Sequence, residues 1–247
     1  MSNNTKIIIS AIIGVCFILG AVALGVSFYK AKGPQKTVSV VGLAQRDFVS
    51  DLIVLDFHYS VQKMDMKTAY NELKSQNEIV KAYLSKKGIP ENEITFKAVG
   101  NDKDYEYVYN SQTHVSTSVF KGYIFTQNVR IESKNVDAVE ALYQNLVELL
   151  DEGVNVEAYS PDYYYTKLAD LKMEMLAEAT QDARTRAETI TANAGSSLGA
   201  LKVANTGVFQ ITAPNSSDED YTWGGAFNTS SKNKRASVNM RLTYYVK

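Results

Sequence analysis

The segment 51–62, DLIVLDFHYSVQ, is the stretch of sequence from which the fold class follows. Its odd positions carry five large apolar side chains: Ile53, Leu55, Phe57, Tyr59 and Val61. Asp56, His58 and Ser60 occupy even positions. A period of two is typical of a β-strand with one buried face, because successive side chains point to opposite sides of a sheet. The pattern therefore predicts a half-buried strand whose odd residues face the core.

The residues that follow this strand predict a helix and then a second strand. Asp65 precedes a run in which apolar residues recur every three or four positions as far as Leu84, so it is a candidate N-cap. Gly88 and Pro90 predict the end of the helix. The segment 94–99, ITFKAV, is rich in strand-forming residues. The predicted order is strand, helix, strand.

The same order recurs further along the chain. The segment 119–131, VFKGYIFTQNVRI, predicts a strand, and Asn135 is a candidate cap for a helix that Gly153 ends. A short strand is predicted at 155–159. The sequence therefore predicts an α+β fold with two βαβ-type halves and a mixed or antiparallel sheet.

A long helix and three further strands complete the predicted domain. Asp162 is a candidate cap for a helix over 163–194, whose alanine-rich face suits close packing. The remaining predicted strands are 37–43, 201–212 and 236–246. The segment 213–235 is polar and has no periodicity, so we expect a long mobile loop there.

The N-terminal segment 7–29 contains 23 residues and no charge. As a helix it would be about 34 Å long, slightly more than the hydrocarbon core of a bilayer. The segment therefore predicts a transmembrane signal anchor, with the tail 1–6 in the cytoplasm. Residues 30–36 are the predicted linker and 37–247 the extracytoplasmic domain. The alternative is a signal peptide cleaved near Ala23, which would release a secreted protein.

Composition argues against several classes of function. The chain has 26 Lys and Arg against 27 Asp and Glu, so no basic surface for nucleic acid is predicted. A single cysteine, Cys16, and two histidines, His58 and His114, are too few for a disulfide or a zinc finger. We predict neither a cofactor nor a metal site.

Two acidic segments of the chain do not predict a cation site. Asp102, Asp104 and Glu106 alternate as in a calcium loop, but Tyr107 and Thr113 stand where that loop requires glycine and glutamate. The acidic run at 218–220 is typical of a solvated loop.

The sequence contains no phosphate-binding glycine loop, nucleophile elbow or zinc-protease helix. We therefore predict no catalytic residue and no enzymatic activity. One alternative stays open, in which a small-ligand-binding or hydrolytic site lies between the two βαβ-type halves and the loop 213–235 gates it.

Tyrosine is the unusual component, with sixteen residues in the chain. Two clusters stand out: Tyr105, Tyr107 and Tyr109 at strand spacing, and Tyr163, Tyr164 and Tyr165 in succession. Tyrosine combines a large contact area with a polar tip, which suits protein interfaces. The alternative is that these tyrosines pack against neighbouring strands inside the sheet. These six residues are the candidate interaction surface.

Several short motifs, in their order, resemble the SIMPL-domain family. The clearest are TVSVVG at 37–42, DYEY at 104–107 and GYIFTQNV at 122–129. Others are EGVN at 152–155 and ARTRAE at 183–188. This sequence departs from the commoner pattern at Ala44, where a second glycine is usual.

The resemblance implies a secreted or membrane-anchored bacterial α+β protein without established enzymatic activity. Relatives include periplasmic immunogens, one type of which assembles into a channel-like ring, and proteins linked to defence against oxidative stress. We therefore expect a membrane-anchored protein that acts at the cell envelope, in connection with stress. Its expected partners are copies of itself or another envelope protein.

Overall fold

The computed structural model describes residues 3–32, 35–112, 114–214 and 224–247. The described helices are α1 (Asn3–Lys32), α2 (Met66–Lys86), α3 (Val136–Asn145) and α4 (Leu168–Asn193). The described strands are β1 (Thr37–Val49), β2 (Leu52–Lys63), β3 (Ile94–Phe96), β4 (Gly100–Asn110), β5 (Val115–Ser133), β6 (Val156–Ala158), β7 (Asp162–Tyr164), β8 (Leu198–Thr206), β9 (Gln210–Thr212) and β10 (Asn233–Val246).

The chain forms two compact units. The first unit takes its residues from 1–44, 176–207 and 239–247, and the second from 45–175 and 208–238. The α+β class is therefore observed, with helices and strands in the same chain.

The sheet of the second unit is built from two interlocking βαβ segments. Its strand order is β3-β5-β2-β6, with β4 also paired to β5 and β7 also paired to β2. All of these pairs are antiparallel. In β2-α2-β3 and in β5-α3-β6, a strand of the other segment separates the two strands. This is the split βαβ arrangement.

The odd residues of β2 form the centre of the core in the second unit. Ile53 and Leu55 are fully buried, and Val61 is only 4% exposed. Apolar residues of α2 and α3 cover this face, among them Leu73 and Leu142. The predicted half-buried strand is confirmed, because burying the apolar face of β2 removes it from water.

Both predicted helix caps of the second unit are confirmed. The carboxylate of Asp65 accepts a hydrogen bond from the backbone N–H of Thr68 at 2.8 Å. The side-chain oxygen of Asn135 accepts one from the N–H of Ala138 at 3.2 Å. Each cap pairs an N–H that has no partner inside its helix.

The first unit packs α4 directly against β1. Ala179, Ala183 and Ala187 on one face of α4 are fully buried. At Gly42 of β1 the two backbones approach so closely that a Cβ atom would lie 2.1 Å from the carbonyl oxygen of Ala179. The alanine-rich face therefore does pack closely, as predicted. Elsewhere in this unit, β10 pairs with β8 in antiparallel register from Met240 to Val246.

The predicted start of the long helix is wrong. Residues 162–164 form β7, which pairs with Leu52–Val54 of β2, and α4 begins at Leu168. Asp162 is therefore not the helix cap. An extended backbone is favoured here because its N–H and C=O groups find partners on β2.

The predicted strand 201–212 and loop 213–235 also change in the structure. The strand is interrupted after Thr206, and β9 starts at Gln210. Residues 233–235 of the predicted loop belong to β10. Phe227 forms an isolated bridge with Ile211. Residues 215–223, including the acidic run, lie outside the described residues.

The predicted transmembrane segment is corrected by the structure. In the described part of the chain, no helix is both long enough and apolar enough to cross a membrane. The transmembrane anchor predicted at 7–29 is thus not found among the described residues.

Candidate interaction surface

β4 and the first half of β5 form a long hairpin that extends beyond the rest of the sheet. β2 pairs with β5 as far as Lys63, which lies opposite Tyr123. From there the β4–β5 pairing continues to Asn110 opposite Val115. We call residues 105–110 and 115–120 the arm. No third strand pairs with the arm within the described residues.

A β-bulge lies at the base of the arm. Asp104 lies opposite Gly122 whereas Tyr105 lies opposite Phe120, so Lys121 has no partner in the register. Gly122 has φ 134°, and a Cβ atom there would lie 2.6 Å from the carbonyl oxygen of Lys63. Only glycine suits this position, since both the conformation and the space exclude a side chain.

Polar contacts surround the same bulge. The side-chain amide of Gln62 donates to the carboxylate of Asp104 at 2.9 Å. Glu106 lies 2.5 Å from the ammonium of Lys121, and this hydrogen bond raises the pKa of Lys121. The bulge therefore links the arm to the end of β2.

The three tyrosines of β4 lie on one face of the arm. Directly opposite residues in an antiparallel pair share a face, so this face carries Tyr105, Tyr107, Tyr109, Ser116, Ser118 and Phe120. The rings of Tyr105 and Phe120 are 5.5 Å apart. The hydroxyl of Tyr109 lies 2.9 Å from Nδ1 of His114. The first tyrosine cluster thus lies in one row along this face of the arm.

Both faces of the arm are open to solvent. Tyr107 is 77% exposed and Tyr109 is 60% exposed. Val108, Val115 and Val119, on the opposite face, are also exposed. A two-stranded ribbon is marginally stable on its own, and a contiguous exposed apolar surface is typical of a protein contact. The first cluster therefore suits an interaction surface.

The second tyrosine cluster does not join the first. Tyr163 is buried, and its hydroxyl donates to Glu140 at 3.1 Å. Burial is the main cause that raises its pKa. β7 pairs with the first residues of β2, whereas the arm continues from the last, so the clusters lie about 30 Å apart along β2. The ring of Tyr165 packs on Phe48 at 4.8 Å. Tyr163 and Tyr165 are packing residues.

The polar face of the same sheet contains a shallow pocket of about 310 Å³, which bears on the ligand-binding alternative. Asp56 lines the pocket and is paired with Lys97 at 3.0 Å and Arg130 at 2.9 Å. The two βαβ segments share one sheet, so the pocket lies on a sheet face and not in a cleft between halves. Both oxygens of Asp56 have cationic partners. Asp162 is the second carboxylate that lines the pocket.

His58 follows Phe57 on β2, and Phe57 lines this pocket. Its ring stacks on Tyr159 at 5.8 Å, and its Nε2 is 3.5 Å from the carboxylate of Glu157. Its Nδ1 is buried without a hydrogen-bond partner. In the ranges that the structure describes, no group of three or more His, Cys, Asp or Glu residues is arranged to hold a metal ion.

A partly buried chain of hydrogen-bonded polar side chains links Tyr59, Asn77 and Gln127, and no sequence pattern predicted it. The hydroxyl of Tyr59 donates to Oδ1 of Asn77 at 2.7 Å, and the amide of Asn77 donates to Oε1 of Gln127 at 3.3 Å. The amide of Gln127 donates to the carbonyl oxygen of Lys97 at 2.7 Å. Burial raises the pKa of Tyr59, followed by the charge of Glu78. Gln127 between Phe125 and Val129 was the available signal, because it is a polar residue at a core-facing position.

Replacing Asn77 by alanine is expected to lower the free energy of unfolding by about 2–4 kcal/mol, because Tyr59 and Gln127, which are both buried, each lose a hydrogen-bond partner. Tyr59→Phe, which removes one hydroxyl, is expected to cost about 1–2 kcal/mol. Lys74→Ala, an exposed change on the same helix, is the control and is expected to stay within about 0.5 kcal/mol. Urea denaturation measures all three. Equal urea midpoints for Asn77→Ala and Lys74→Ala would show that the hydrogen bonds of Asn77 contribute no stability.

The split βαβ sheet and the exposed arm define an α+β protein whose clearest candidate site is a contact surface. The chain belongs to the SIMPL family, whose model, described as a protein of unknown function (DUF541), matches residues 38–242. The resemblance seen in the short motifs is therefore confirmed. The matched range contains the whole arm. No curated protein matches the chain.

Proposed function

We propose that this SIMPL protein acts by self-assembly, and that the arm is the contact surface. The observation that carries the proposal is the exposure of aromatic and apolar side chains on both faces of a two-stranded ribbon. Assembly would give the ribbon further strands or faces, and the exposed side chains would pack against those of the neighbouring copy. The extracytoplasmic location implied by the resemblance is part of this proposal.

Tyrosines suit such a contact for energetic reasons. A tyrosine has few rotatable bonds, so it loses little conformational entropy when it is covered, and its hydroxyl stays hydrogen-bonded at the rim. Tyrosine is also one of the residues that most often dominates binding energy at interfaces. The function is one of binding, and it assigns no residue a catalytic role.

Changing Tyr105, Tyr107 and Tyr109 together to threonine is expected to raise the dissociation constant of the assembly by about 100-fold or more. Threonine keeps strand propensity while it removes the aromatic ring. Light scattering over a concentration series of the full chain measures the effect, and circular dichroism shows that the variant is folded. The proposal fails if the native chain stays monomeric at high micromolar concentration.

The control for this experiment is Tyr159→Thr. Tyr159 is 60% exposed, as is Tyr109, but it follows β6 and lies outside the arm. Its replacement is expected to change the dissociation constant by less than about threefold. An equal loss of assembly in the control and in the triple variant would remove the arm from the proposal.

A further inference from the structure

We infer that two copies of this chain join edge to edge through their β4 strands. The two strands run antiparallel, and Tyr107 of one copy lies opposite Tyr107 of the other across the two-fold axis. The inference rests on the proposed function and names its partner and its register. The partner is a second copy of the same chain, and the two arms would form one continuous ribbon of four strands.

The free edge of β4 supplies the hydrogen-bonding groups for this contact. β4 pairs with β5 on one side, and among the described residues no strand pairs with its other side over Gly100–Asn110. Every second residue of an edge strand presents an unpaired N–H and C=O, which is a template for another strand. Natural edges are usually protected by charged side chains, by proline or by β-bulges. Residues 105–110, YEYVYN, contain a single charge, Glu106, and neither lysine nor proline, and the bulge lies at the base of the arm and not within this stretch.

The opposite edge of the arm is less open. On that side β2 runs along β5 up to Lys63, and the carbonyl oxygen of Lys63 lies against Gly122. The chain then turns into α2, which begins at Met66. A strand added beside 115–120 would meet this turn at the base of the arm, whereas the β4 edge has no such obstacle within the described ranges.

Symmetry and charge together select the register. In an antiparallel pair of identical strands that extends a sheet, residues that lie opposite each other share a face of the sheet. The two-fold axis must therefore run between the two copies of one residue, so that this residue lies opposite itself. With Tyr105 on the axis, Asp104 of one copy would lie opposite Glu106 of the other. With Glu106 on the axis, two glutamates would face each other. Both registers place like charges directly opposite, which is destabilising.

An axis through Tyr107 avoids this conflict. Tyr105 then lies opposite Tyr109 of the other copy, Glu106 opposite Val108, and Asp104 opposite Asn110. Seven residues of each β4 are paired, from 104 to 110. An axis through Val108 also separates the charges, but it pairs only 106–110. The Tyr107 register is thus the longest that opposes no like charges within β4, and it adds cross-strand aromatic pairs.

Cysteine cross-linking of the full chain tests this register. Cys16 is the only cysteine, so Cys16→Ser provides a background without thiols. Opposite Cα atoms in antiparallel strands are about 4.5–5.5 Å apart, which suits a disulfide. Tyr107→Cys is therefore expected to form covalent dimers on mild oxidation. The two positions 109 would be about 14 Å apart along the strands, too far for a disulfide.

The matched control is Tyr109→Cys alone, which is expected to give about tenfold less covalent dimer than Tyr107→Cys. A mixture of Tyr105→Cys and Tyr109→Cys chains tests the same register independently and is expected to cross-link. This mixture decides the outcome if Tyr107→Cys does not fold, which circular dichroism detects.

The outcomes separate this inference from the proposed function. If the chain assembles but neither Tyr107→Cys nor the mixture cross-links above the level of Tyr109→Cys alone, the β4 register is overturned and self-assembly stands. If the native chain is monomeric in light scattering, both are overturned. Assembly with preferential cross-linking at Tyr107 and in the mixture supports both.

Discussion

Replacement of Gly42 by alanine is expected to lower the free energy of unfolding of the first unit by about 3–5 kcal/mol. The new Cβ would lie 2.1 Å from the carbonyl oxygen of Ala179 and 2.5 Å from the backbone nitrogen of Ala183. These are backbone atoms of α4, so no side-chain rotation relieves the overlap. The helix and β1 must separate, which opens a gap along the buried alanine face.

Gly100→Ala is the control for Gly42, because it also places a methyl group on a strand glycine. Its Cβ would lie 3.7 Å from the carbonyl oxygen of Thr126, an ordinary contact. We expect a change below about 1 kcal/mol, since alanine also restricts the unfolded chain. Urea denaturation followed by far-ultraviolet circular dichroism compares the two variants. Equal stability of the two would refute the close approach of β1 and α4.

Replacement of Lys234 by methionine is expected to cost about 3 kcal/mol of stability in the second unit. Lys234 is only 1% exposed, although it is a lysine near the start of β10. Its ammonium donates to the carbonyl oxygen of Asn228 at 2.6 Å and to that of Ser231 at 2.7 Å. Methionine keeps the length of the side chain but leaves these oxygens without their charged donor.

Hydrogen exchange locates the effect of Lys234→Met. The backbone N–H of Ser231 donates to the side chain of Asn228 at 2.9 Å, and that of Asn228 donates to Ile211 at 2.9 Å. Both amides are expected to exchange faster in the variant, because the lysine no longer holds the turn. Lys103→Met, an exposed change on β4, is the control. If the two amides exchange at the native rate in Lys234→Met, Lys234 does not hold this turn.

The agreement between sequence and structure is closest where neighbouring residues decide the outcome. The odd residues of β2 are buried because alternation along one strand is a local property. The caps Asp65 and Asn135 act on an N–H three residues away. The spacing of Tyr105, Tyr107 and Tyr109 was likewise enough to place them on one face of a strand.

The predictions from sequence are wrong or incomplete for residues that contact segments far away in the sequence. Tyr163 follows Asp162 in a stretch that suits the start of a helix. It lies in a strand instead, because it pairs with β2, more than a hundred residues earlier in the chain. Lys234 lies in the polar stretch 213–235 of the sequence, and only the turn at 228–231 explains its burial. For Gly42, the sequence shows a glycine in a strand but not the helix backbone that requires it.

Local order along the chain therefore sufficed for the periodicity of β2, the helix caps, the alanine face of α4 and membership of the SIMPL family. These features depend on side chains a few residues apart, whose relative positions the helix or strand geometry sets. The pairing of β7 with β2, the close approach of Gly42 to α4 and the burial of Lys234 depended on tertiary contacts. Such contacts join segments whose separation in sequence carries no information about their distance in space, so no local pattern could have identified them.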